Sequence, residues 1–285
     1  MSSSRTYSVL LLLGTRFLSA CSAVSFGIAN LPARFARSHR EASVPFGPAA
    51  WQKLDLYRPA GAAPAPVVVF WFGGGWADGN KEDYRFVGAA LASLGYVAVL
   101  PDYRLYPQVR FPTFLDDAAG AVAWVQAHVA DYGGDPHRIV LMGHSAGAHM
   151  AAMLALNPEY LQRAGVDTHN IAGLIGLSGP YELDPDDATL RAIFAAPYTA
   201  HDWQVLPYAS ARSPPALLIQ GADDQRVWPS NSEHLAAALQ SDGVRVTLRV
   251  YPQRGHADTV AALAWVVRYR SPTIHDIERF MQSLP

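Results

Sequence analysis

The stretch "RIVLMGHSAGAHMAAMLAL" (138–156) contains the most specific pattern in this sequence. Its first part, "RIVLM", is a short apolar run typical of a strand buried on both faces, and "AHMAAMLAL" has helical spacing. Between them, "GHSAG" (143–147) matches G-x-S-x-G, a sharp turn from strand to helix that exposes a serine hydroxyl above a sheet. Gly143 and Gly147 allow the strand and the helix to pack closely around that turn. The stretch predicts Ser145 as a nucleophile at the end of a strand.

Strands and helices alternate along the chain on both sides of this turn. Continuous apolar runs predict buried strands at 67–72, 96–103, 138–143, 171–179 and 216–221. The alternating "QKLDLYR" (52–58) instead predicts an edge strand or a strand with one exposed face. Helical spacing predicts helices at 83–94, 114–129, 146–156, 231–241 and 274–284, the last with Thr273 as its N-cap. The pattern predicts an α/β fold, a mostly parallel sheet covered by helices on both faces.

One long segment, residues 180–215, departs from that alternation. Its sequence includes "RAIFAAPYTAHDWQVLPYASA", which has no buried-strand run. We expect this segment to form a small helical lid over a pocket.

The composition fits a single large domain and narrows its chemistry. The chain has 285 residues, and 50% of them are hydrophobic, which is ample for a buried core. The 22 basic and 24 acidic residues give a net charge of -2 with no long basic run, which predicts no nucleic-acid partner. The single cysteine, Cys21, excludes an intramolecular disulfide framework and a cysteine-based metal cluster. The chemistry is expected to rest on oxygen and imidazole groups.

Residues 1–45 are interpreted as a signal- or anchor-like segment and a linker, ahead of a catalytic domain at 46–285. "VLLLLG" (9–14) leads to "LSAC" (18–21), where small residues precede a cysteine, as in a bacterial lipoprotein signal. The pattern predicts lipidation at Cys21 and a place in the cell envelope or periplasm. The apolar run is short and Arg16 follows it closely, so an ordinary N-terminal segment and a cytoplasmic location are the alternative. The basic residues after it are interpreted as a solvated linker: Arg34, Arg37 and Arg40.

A serine nucleophile needs a base to accept its proton and an acid to orient that base. In this strand order the acid and then the histidine should follow Ser145 along the chain. "QGADDQRVWP" (220–229) places Asp223 and Asp224 after a buried strand, and "YPQRGHAD" (251–258) places His256 after another. The remaining histidines lie in the turn at Ser145, in helices, on the surface, in the linker or in the lid, and are expected to have no catalytic part: His39, His128, His137, His144, His149, His169, His201, His234 and His275.

The sequence "WFGGGW" (71–76) places three glycines directly after a buried strand. Such a loop lets backbone amides approach a reacting oxygen closely, and we expect Gly74 and Gly75, with Ala146, to donate the N–H groups of an oxyanion hole. A methyl group on Gly74 is expected to intrude where the oxyanion binds. A phosphate-binding loop is the alternative, but neither G-x-G-x-x-G nor G-K-[ST] follows.

Four segments together resemble the bacterial α/β-hydrolase carboxylesterases: "GPAAWQKLDLYRPAG", "FGGGW", "VLPDYRLYPQVRFPTFLDDAAGAVAWV" and "YGGDPHRIVLMGHSAGAHMAA". The chain is most similar to the feruloyl and acetyl-xylan esterase-like (BD-FAE-like) branch, which is related to the kynurenine formamidases. The resemblance runs over roughly residues 50–283. It implies an eight-stranded, mostly parallel sheet with one antiparallel strand, no cofactor and a Ser–Asp–His triad. The family's G-x-x-D-x-x-V segment aligns its aspartate with Asp224, and its loop histidine is replaced here by Phe72.

The expected reaction is two-step acyl transfer, in which Ser145, Asp224 and His256 hydrolyse a small-molecule ester through an acyl-enzyme. No metal is expected, and the sequence leaves the natural ester and the oligomeric state open. An arylformamidase or other amidase with the same triad is the alternative, and a non-catalytic binding protein is less favoured because all three triad residues are present. Candidate pocket residues are the aromatics near the turn and in the lid: Trp76, Phe194, Tyr198, Trp203 and Tyr208. Their bulk predicts a preference for acyl groups of roughly two to four carbons.

Overall fold

The computed structural model describes residues 26–30, 39–61 and 64–285. Cys21, Arg34 and Arg37 lie outside these residues, so lipidation at Cys21 stays a prediction. None of the helices in the described ranges combines the length and apolar composition that a membrane crossing requires.

An eight-stranded sheet forms the centre of the molecule, with the strand order β1-β2-β4-β3-β5-β6-β7-β8. Only β2 runs against its neighbours, because β1 and β4 both pair with it antiparallel while every other pairing is parallel. The expected eight-stranded, mostly parallel sheet with one antiparallel strand is thereby confirmed. The strands are β1 (His39–Pro45), β2 (Lys53–Arg58), β3 (Ala65–Trp71), β4 (Val97–Pro101), β5 (Gly134–His144), β6 (Ile171–Leu177), β7 (Ala216–Gly221) and β8 (Val246–Tyr251).

Nine α-helices of the described chain lie between and after the strands. They are α1 (Arg85–Ser93), α2 (Thr113–His128), α3 (Ala146–Leu156), α4 (Pro158–Arg163), α5 (Ala188–Ile193), α6 (Ala200–Trp203), α7 (Ser230–Ser241), α8 (Asp258–Ala261) and α9 (Thr273–Ser283). Residues 26–30 are also helical, and 3₁₀ turns lie at Lys81–Tyr84, Val129–Tyr132, Thr168–Asn170, Leu206–Tyr208 and Trp265–Arg270. The α3 helix has small and apolar residues on all sides, and it is buried along almost its whole length.

The predicted lid segment folds as short helical pieces between β6 and β7. It contains α5, α6 and the 3₁₀ turn Leu206–Tyr208. The N–H of Val205 donates to the carbonyl of Tyr181, and this hydrogen bond joins the start of the segment to its later part.

Two sequence expectations fail at the start of the sheet. The strand at 52–58 is not at an edge: β2 lies between β1 and β4, and its central residues Leu54–Tyr57 are buried. The alternation of apolar and polar residues gave the wrong prediction because Asp55, a polar residue in that strand, is fully buried in an ion pair with Arg40. Arg40 therefore belongs to β1 and not to a solvated linker, and the sheet begins at His39, ahead of the expected domain boundary at residue 46.

The C-terminal helix begins one residue earlier than expected. Thr273 is the first residue of α9, and Pro272 occupies the N-cap position with no side-chain cap. The Thr273 hydroxyl lies 2.9 Å from that of Ser271 and does not cap the helix.

The winding of the sheet reverses between β3 and β5. The chain passes from β3 to β4 on one side and then returns to β5 on the other side of β3. Ligands of open α/β sheets bind outside the carboxyl ends of the two strands where the winding reverses. The glycine loop follows β3 and Ser145 follows β5, so both lie at this point.

Candidate active site

Ser145 stands in a strained turn between β5 and α3. Its backbone has φ 55° and ψ -123°, a conformation that non-glycine residues rarely adopt. A Cβ on Gly143 would come within 2.1 Å of the carbonyl oxygen of Gly147, and one on Gly147 within 2.1 Å of that of Trp71. Both glycines are therefore required by close packing, as the sequence predicts.

Ser145, His256 and Asp224 form a continuous chain of hydrogen bonds. The distance from Ser145 Oγ to His256 Nε2 is 2.8 Å, and the distance from His256 Nδ1 to Asp224 Oδ2 is also 2.8 Å. Because a carboxylate only accepts, Nδ1 carries the proton and Nε2 is free to accept from the serine hydroxyl. The serine and the histidine are only partly buried, whereas the aspartate side chain is fully buried. This arrangement can remove a proton from Ser145 at a place that solvent reaches.

The structure distinguishes the two adjacent aspartates. Asp223 is exposed, and its backbone N–H donates to the carbonyl of Arg254. Asp224 accepts from His256, and its second oxygen, Oδ1, accepts from the N–H groups of Arg226 and Val227 at 2.9 and 3.0 Å. Burial raises the pKa of Asp224, but these hydrogen bonds outweigh it and leave that pKa below its ordinary value. Asp224 is thus ionised and oriented toward the histidine.

The glycine loop lies against Ser145, the predicted nucleophile. A Cβ on Gly73 would lie 3.0 Å from the Cβ of Ser145. Gly74 and Gly75 are exposed, and within the described residues no acceptor is found for their N–H groups. Ala146 is the first residue of α3, where the N–H of an α-helix has no partner within the helix. These three amides are available to a ligand oxygen, and their role stays a prediction.

The expectation for a methyl group on Gly74 is wrong. Gly74 has φ +135°, and its Cβ would come within 1.9 Å of the backbone carbonyl oxygen of Asp78. That carbonyl belongs to the turn in which the N–H groups of Ala77 and Asp78 donate to Gly74. A side chain at this position would therefore break the loop itself before it reached the oxyanion.

Phe72 holds the base of the loop by packing. Its ring stacks on Tyr103 with a centroid distance of 4.4 Å, and it lies 3.0 Å from where a Cβ of Gly79 would stand. The hydroxyl of Tyr103 donates to the backbone carbonyl of Phe72 at 2.9 Å. The sequence pattern did not identify Tyr103. This residue follows β4, and it reaches the glycine loop only because β4 pairs with β3 in the folded sheet.

A second network, missed from the sequence, holds the backbone of His256. Its carbonyl oxygen accepts from Nε2 of His144 at 3.1 Å and from the hydroxyl of Thr259 at 3.2 Å. The Thr259 hydroxyl lies 3.0 Å from that of Ser178, at the end of β6. Burial is the main cause that lowers the pKa of His144, to about 3, so this imidazole stays neutral and donates from Nε2. Its position beside Ser145 was the only signal in the sequence.

The predicted pocket aromatics fall into two groups. Trp76, Phe194 and Trp203 are buried and pack on each other, with centroid distances of 4.8 Å between Trp76 and Phe194 and 5.6 Å between Phe194 and Trp203. Tyr198 is 38% exposed, and Tyr208 is half-buried. Trp76 directly follows the glycine loop, and Phe194 and Trp203 come from the predicted lid segment. Which of these rings contacts a ligand stays a prediction.

His149 links the predicted lid segment to α3, the helix that follows Ser145. Its Nε2 lies 2.7 Å from the carbonyl oxygen of Trp203, one turn of α3 beyond Ser145. Burial lowers the pKa of His149 to about 4, so the ring is a neutral donor at this bond.

The other histidines are exposed, and no metal site is found among the described residues. Across the described ranges, no group of three or more His, Cys, Asp or Glu side chains is arranged to hold a metal ion. The exposed histidines are His39, His128, His137, His169, His201, His234 and His275.

Comparison with known sequences gives matches over most of the chain. A family model described as BD-FAE matches residues 54–239, which include the glycine loop, the Ser145 turn and both aspartates. A probable isoprenylcysteine alpha-carbonyl methylesterase of Oryza sativa subsp. japonica is 32% identical over 76% of this chain and 58% of its own length. Esterase LipQ of Mycobacterium tuberculosis is 29% identical over 83% of this chain and 62% of its own length. The chain thus spans roughly three fifths of the length of these two relatives.

Solved structures share the fold over a larger part of their length. The apo form of Thermogutta terrifontis esterase 2 matches with a TM-score of 0.74 and 25% sequence identity, and the match covers 85% of this chain and 93% of that one. Esterase B from Lactobacillus rhamnosis matches with a TM-score of 0.79 over 99% of this chain and 96% of its own, at 20% identity. The expected α/β-hydrolase fold is confirmed by these matches and by the strand order.

Proposed function

The chain belongs to the BD-FAE family, and on that premise we propose that it is a serine carboxylesterase that hydrolyses short-acyl esters through an acyl-enzyme. The observation that supports this most strongly is the pair of 2.8 Å hydrogen bonds that links Ser145 to His256 and His256 to Asp224. The names of the relatives, a methylesterase and an esterase, support ester hydrolysis as the class of reaction.

In the proposed first step, Ser145 Oγ attacks the carbonyl carbon of the ester while His256 Nε2 takes the hydroxyl proton. The negative charge that develops on the carbonyl oxygen is held by the N–H groups of Gly74, Gly75 and Ala146. The bond to the alcohol then breaks, and the alcohol oxygen leaves with the proton from His256. Throughout, the negative charge of Asp224 stabilises the imidazolium.

In the second step, water replaces the alcohol. His256 takes a proton from the water as its oxygen attacks the acyl carbon, and the oxyanion forms again in the same place. The bond to Ser145 Oγ breaks, the proton returns to the serine, and the carboxylic acid leaves.

The short-acyl preference rests on the packing next to the glycine loop. Trp76 and Phe194 meet edge to face at 4.8 Å, and both are almost fully buried. Rings packed on each other fill volume that a long acyl chain would need, so a small acyl group costs the least rearrangement.

A hydrolysis panel tests the proposal. It should compare 4-nitrophenyl acetate, butyrate and octanoate with a feruloyl ester, an acetylated sugar, a carboxylic methyl ester and formanilide. We expect turnover of the acetate and butyrate to exceed that of the octanoate. Faster hydrolysis of octanoate would contradict the short-acyl assignment, and faster hydrolysis of formanilide than of any ester would make the protein an amidase.

A further inference from the structure

Gln220 is a fully buried polar side chain beside the proposed triad. It lies near the end of β7, four residues before Asp224, and none of it reaches solvent. An amide in such a place must find partners within the protein, because an unpaired buried polar group is costly.

The hydrogen bonds of Gln220 determine which end of its amide is which. One end lies 2.9 Å from Asp224 Oδ2 and 3.0 Å from the carbonyl oxygen of Val227, and both of these atoms only accept. That end must therefore be the NH₂ group. The other end, Oε1, lies 3.0 Å from the hydroxyl of Ser232 in α7, which can donate to it.

We propose that Gln220 is a positioning residue of the esterase: its amide holds Asp224 in the one orientation that keeps His256 aimed at Ser145. Both Gln220 and His256 donate to the same oxygen, Oδ2, and so fix the carboxylate plane from two sides. The second hydrogen of the amide holds the carbonyl of Val227, and thus the loop that carries Asp224. The inference rests on the proposed function, since Gln220 acts only through Asp224 and His256.

Few charged groups surround this cluster, so a new carboxylate there would be coupled mainly to Asp224. His256 faces it from the loop after β8, and His144 lies against His256. Asp223 and Arg226 are exposed in the same loop as Asp224. The helix α7 contributes the Ser232 hydroxyl, and its titratable residues Glu233 and His234 are exposed.

The substitution Gln220→Glu tests the role with almost no change in shape. A protonated glutamic acid can still donate to Asp224, but an ionised one places two negative charges side by side, which strongly disfavours the doubly charged pair. Relative to the parent, kcat/KM of Gln220→Glu should therefore fall about tenfold or more between pH 5.5 and pH 8.5, as the shared proton is lost. Gln225→Glu is the matched control, because Gln225 is exposed in the same loop. Its profile should follow that of the parent.

Gln220→Met supplies a second test if the glutamate variant folds poorly. It keeps the length of the side chain and removes the donor, so kcat should fall about tenfold at every pH, while KM stays close to the parent value. The low-field proton resonance of His256 Nδ1–H, which reports the bond to Asp224, should shift in this variant and not in Gln225→Glu.

The outcomes separate this inference from the proposed function. If the parent protein hydrolyses no ester and a fluorophosphonate does not label its Ser145, the proposed function itself is contradicted. A parent that is active, with a Gln220→Glu profile parallel to it or with unchanged kcat and resonance in Gln220→Met, would overturn the role of Gln220 alone.

Discussion

At the scale of single residues, Asp223 and Asp224 are chemically identical neighbours that differ in burial and in hydrogen bonding. Asp224 is buried with its two oxygens occupied by donors, and Asp223 is exposed. Sequence reasoning from position alone left both open, and only the resemblance to a family pattern favoured Asp224. The difference lies in burial, which depends on how the loop after β7 folds back under the histidine.

Asparagine substitutions should separate the two aspartates in activity. Asp224→Asn leaves the shape intact but offers an NH₂ group to His256 Nδ1, which favours the wrong tautomer and should lower kcat by about 10³- to 10⁴-fold. Asp223→Asn, the matched control, should change kcat by no more than about twofold. Steady-state kinetics on 4-nitrophenyl acetate measure both. A larger loss for Asp223→Asn would show that the loop presents the other carboxylate.

At the scale of elements, the glycine loop depends on side chains from outside it. Phe72 is 2% exposed and stacks on Tyr103, whose hydroxyl also holds the Phe72 carbonyl. The loop is thus fixed sterically from below and by a hydrogen bond from the segment after β4. Because Gly73 lies against Ser145, any shift of the loop changes the distance between its amides and the reacting oxygen.

Phe72→Ala should weaken both the fold and the reaction. The cavity should lower the free energy of unfolding by about 3–5 kcal/mol, and kcat should fall as well because the displaced loop misdirects the Gly74 and Gly75 amides. Phe280→Ala is the control, since Phe280 is a buried ring in α9, away from the loop. It should lose similar stability with kcat unchanged. Urea unfolding measures the stability of both variants, and turnover of the folded variants at low temperature measures kcat. A Phe72→Ala variant with the parent kcat would show that the ring does not position the loop.

The elements that sequence reasoning located correctly are those with a local signal. Continuous apolar runs located β3 to β7, and the glycines marked the turn at Ser145. What it missed depends on partners distant in the chain. Asp55 interrupts the apolar pattern of β2, and nothing in the sequence indicates that Arg40, fifteen residues earlier, pairs with it and allows it to be buried. His144 and Gln220 likewise acquire their roles from loops that the fold brings to them.

At the scale of the whole molecule, the site gathers the ends of four parallel strands. The glycine loop follows β3, Ser145 follows β5, Asp224 follows β7 and His256 follows β8. Two histidines close to these strand ends, His144 beside His256 and His149 in α3, are buried and remain neutral. Burying neutral imidazoles makes the stability of the entire fold depend on pH.

The free energy of unfolding should therefore decrease on acidification. Burial lowers the pKa of His144 to about 3 and of His149 to about 4, whereas an unfolded histidine titrates near 6.5. Below about pH 6.5 the unfolded chain takes up protons that the folded chain does not, so stability falls by about 1 kcal/mol per pH unit for each histidine until the folded values are reached. Urea unfolding at pH 7, 6 and 5 measures the slope.

A non-titrating variant provides the control for that slope. His149→Gln keeps a donor for the Trp203 carbonyl and removes the titration, so the slope between pH 7 and pH 5 should be smaller than in the parent. The same substitution at exposed His275 should leave the slope unchanged. Equal slopes in all three proteins would contradict the assignment of a neutral buried His149.

The central claim is that Ser145 carries the acyl group, and the most direct measurement is the intact mass of the protein during turnover. After rapid mixing with 4-nitrophenyl butyrate and acid quenching, the parent should show a butyryl adduct, located by peptide mass spectrometry on the segment that contains Ser145. Asp223→Asn should show the same adduct, and Ser145→Ala should show none and hydrolyse no ester beyond a residual rate. An adduct on another residue, or full turnover by Ser145→Ala, would contradict the account.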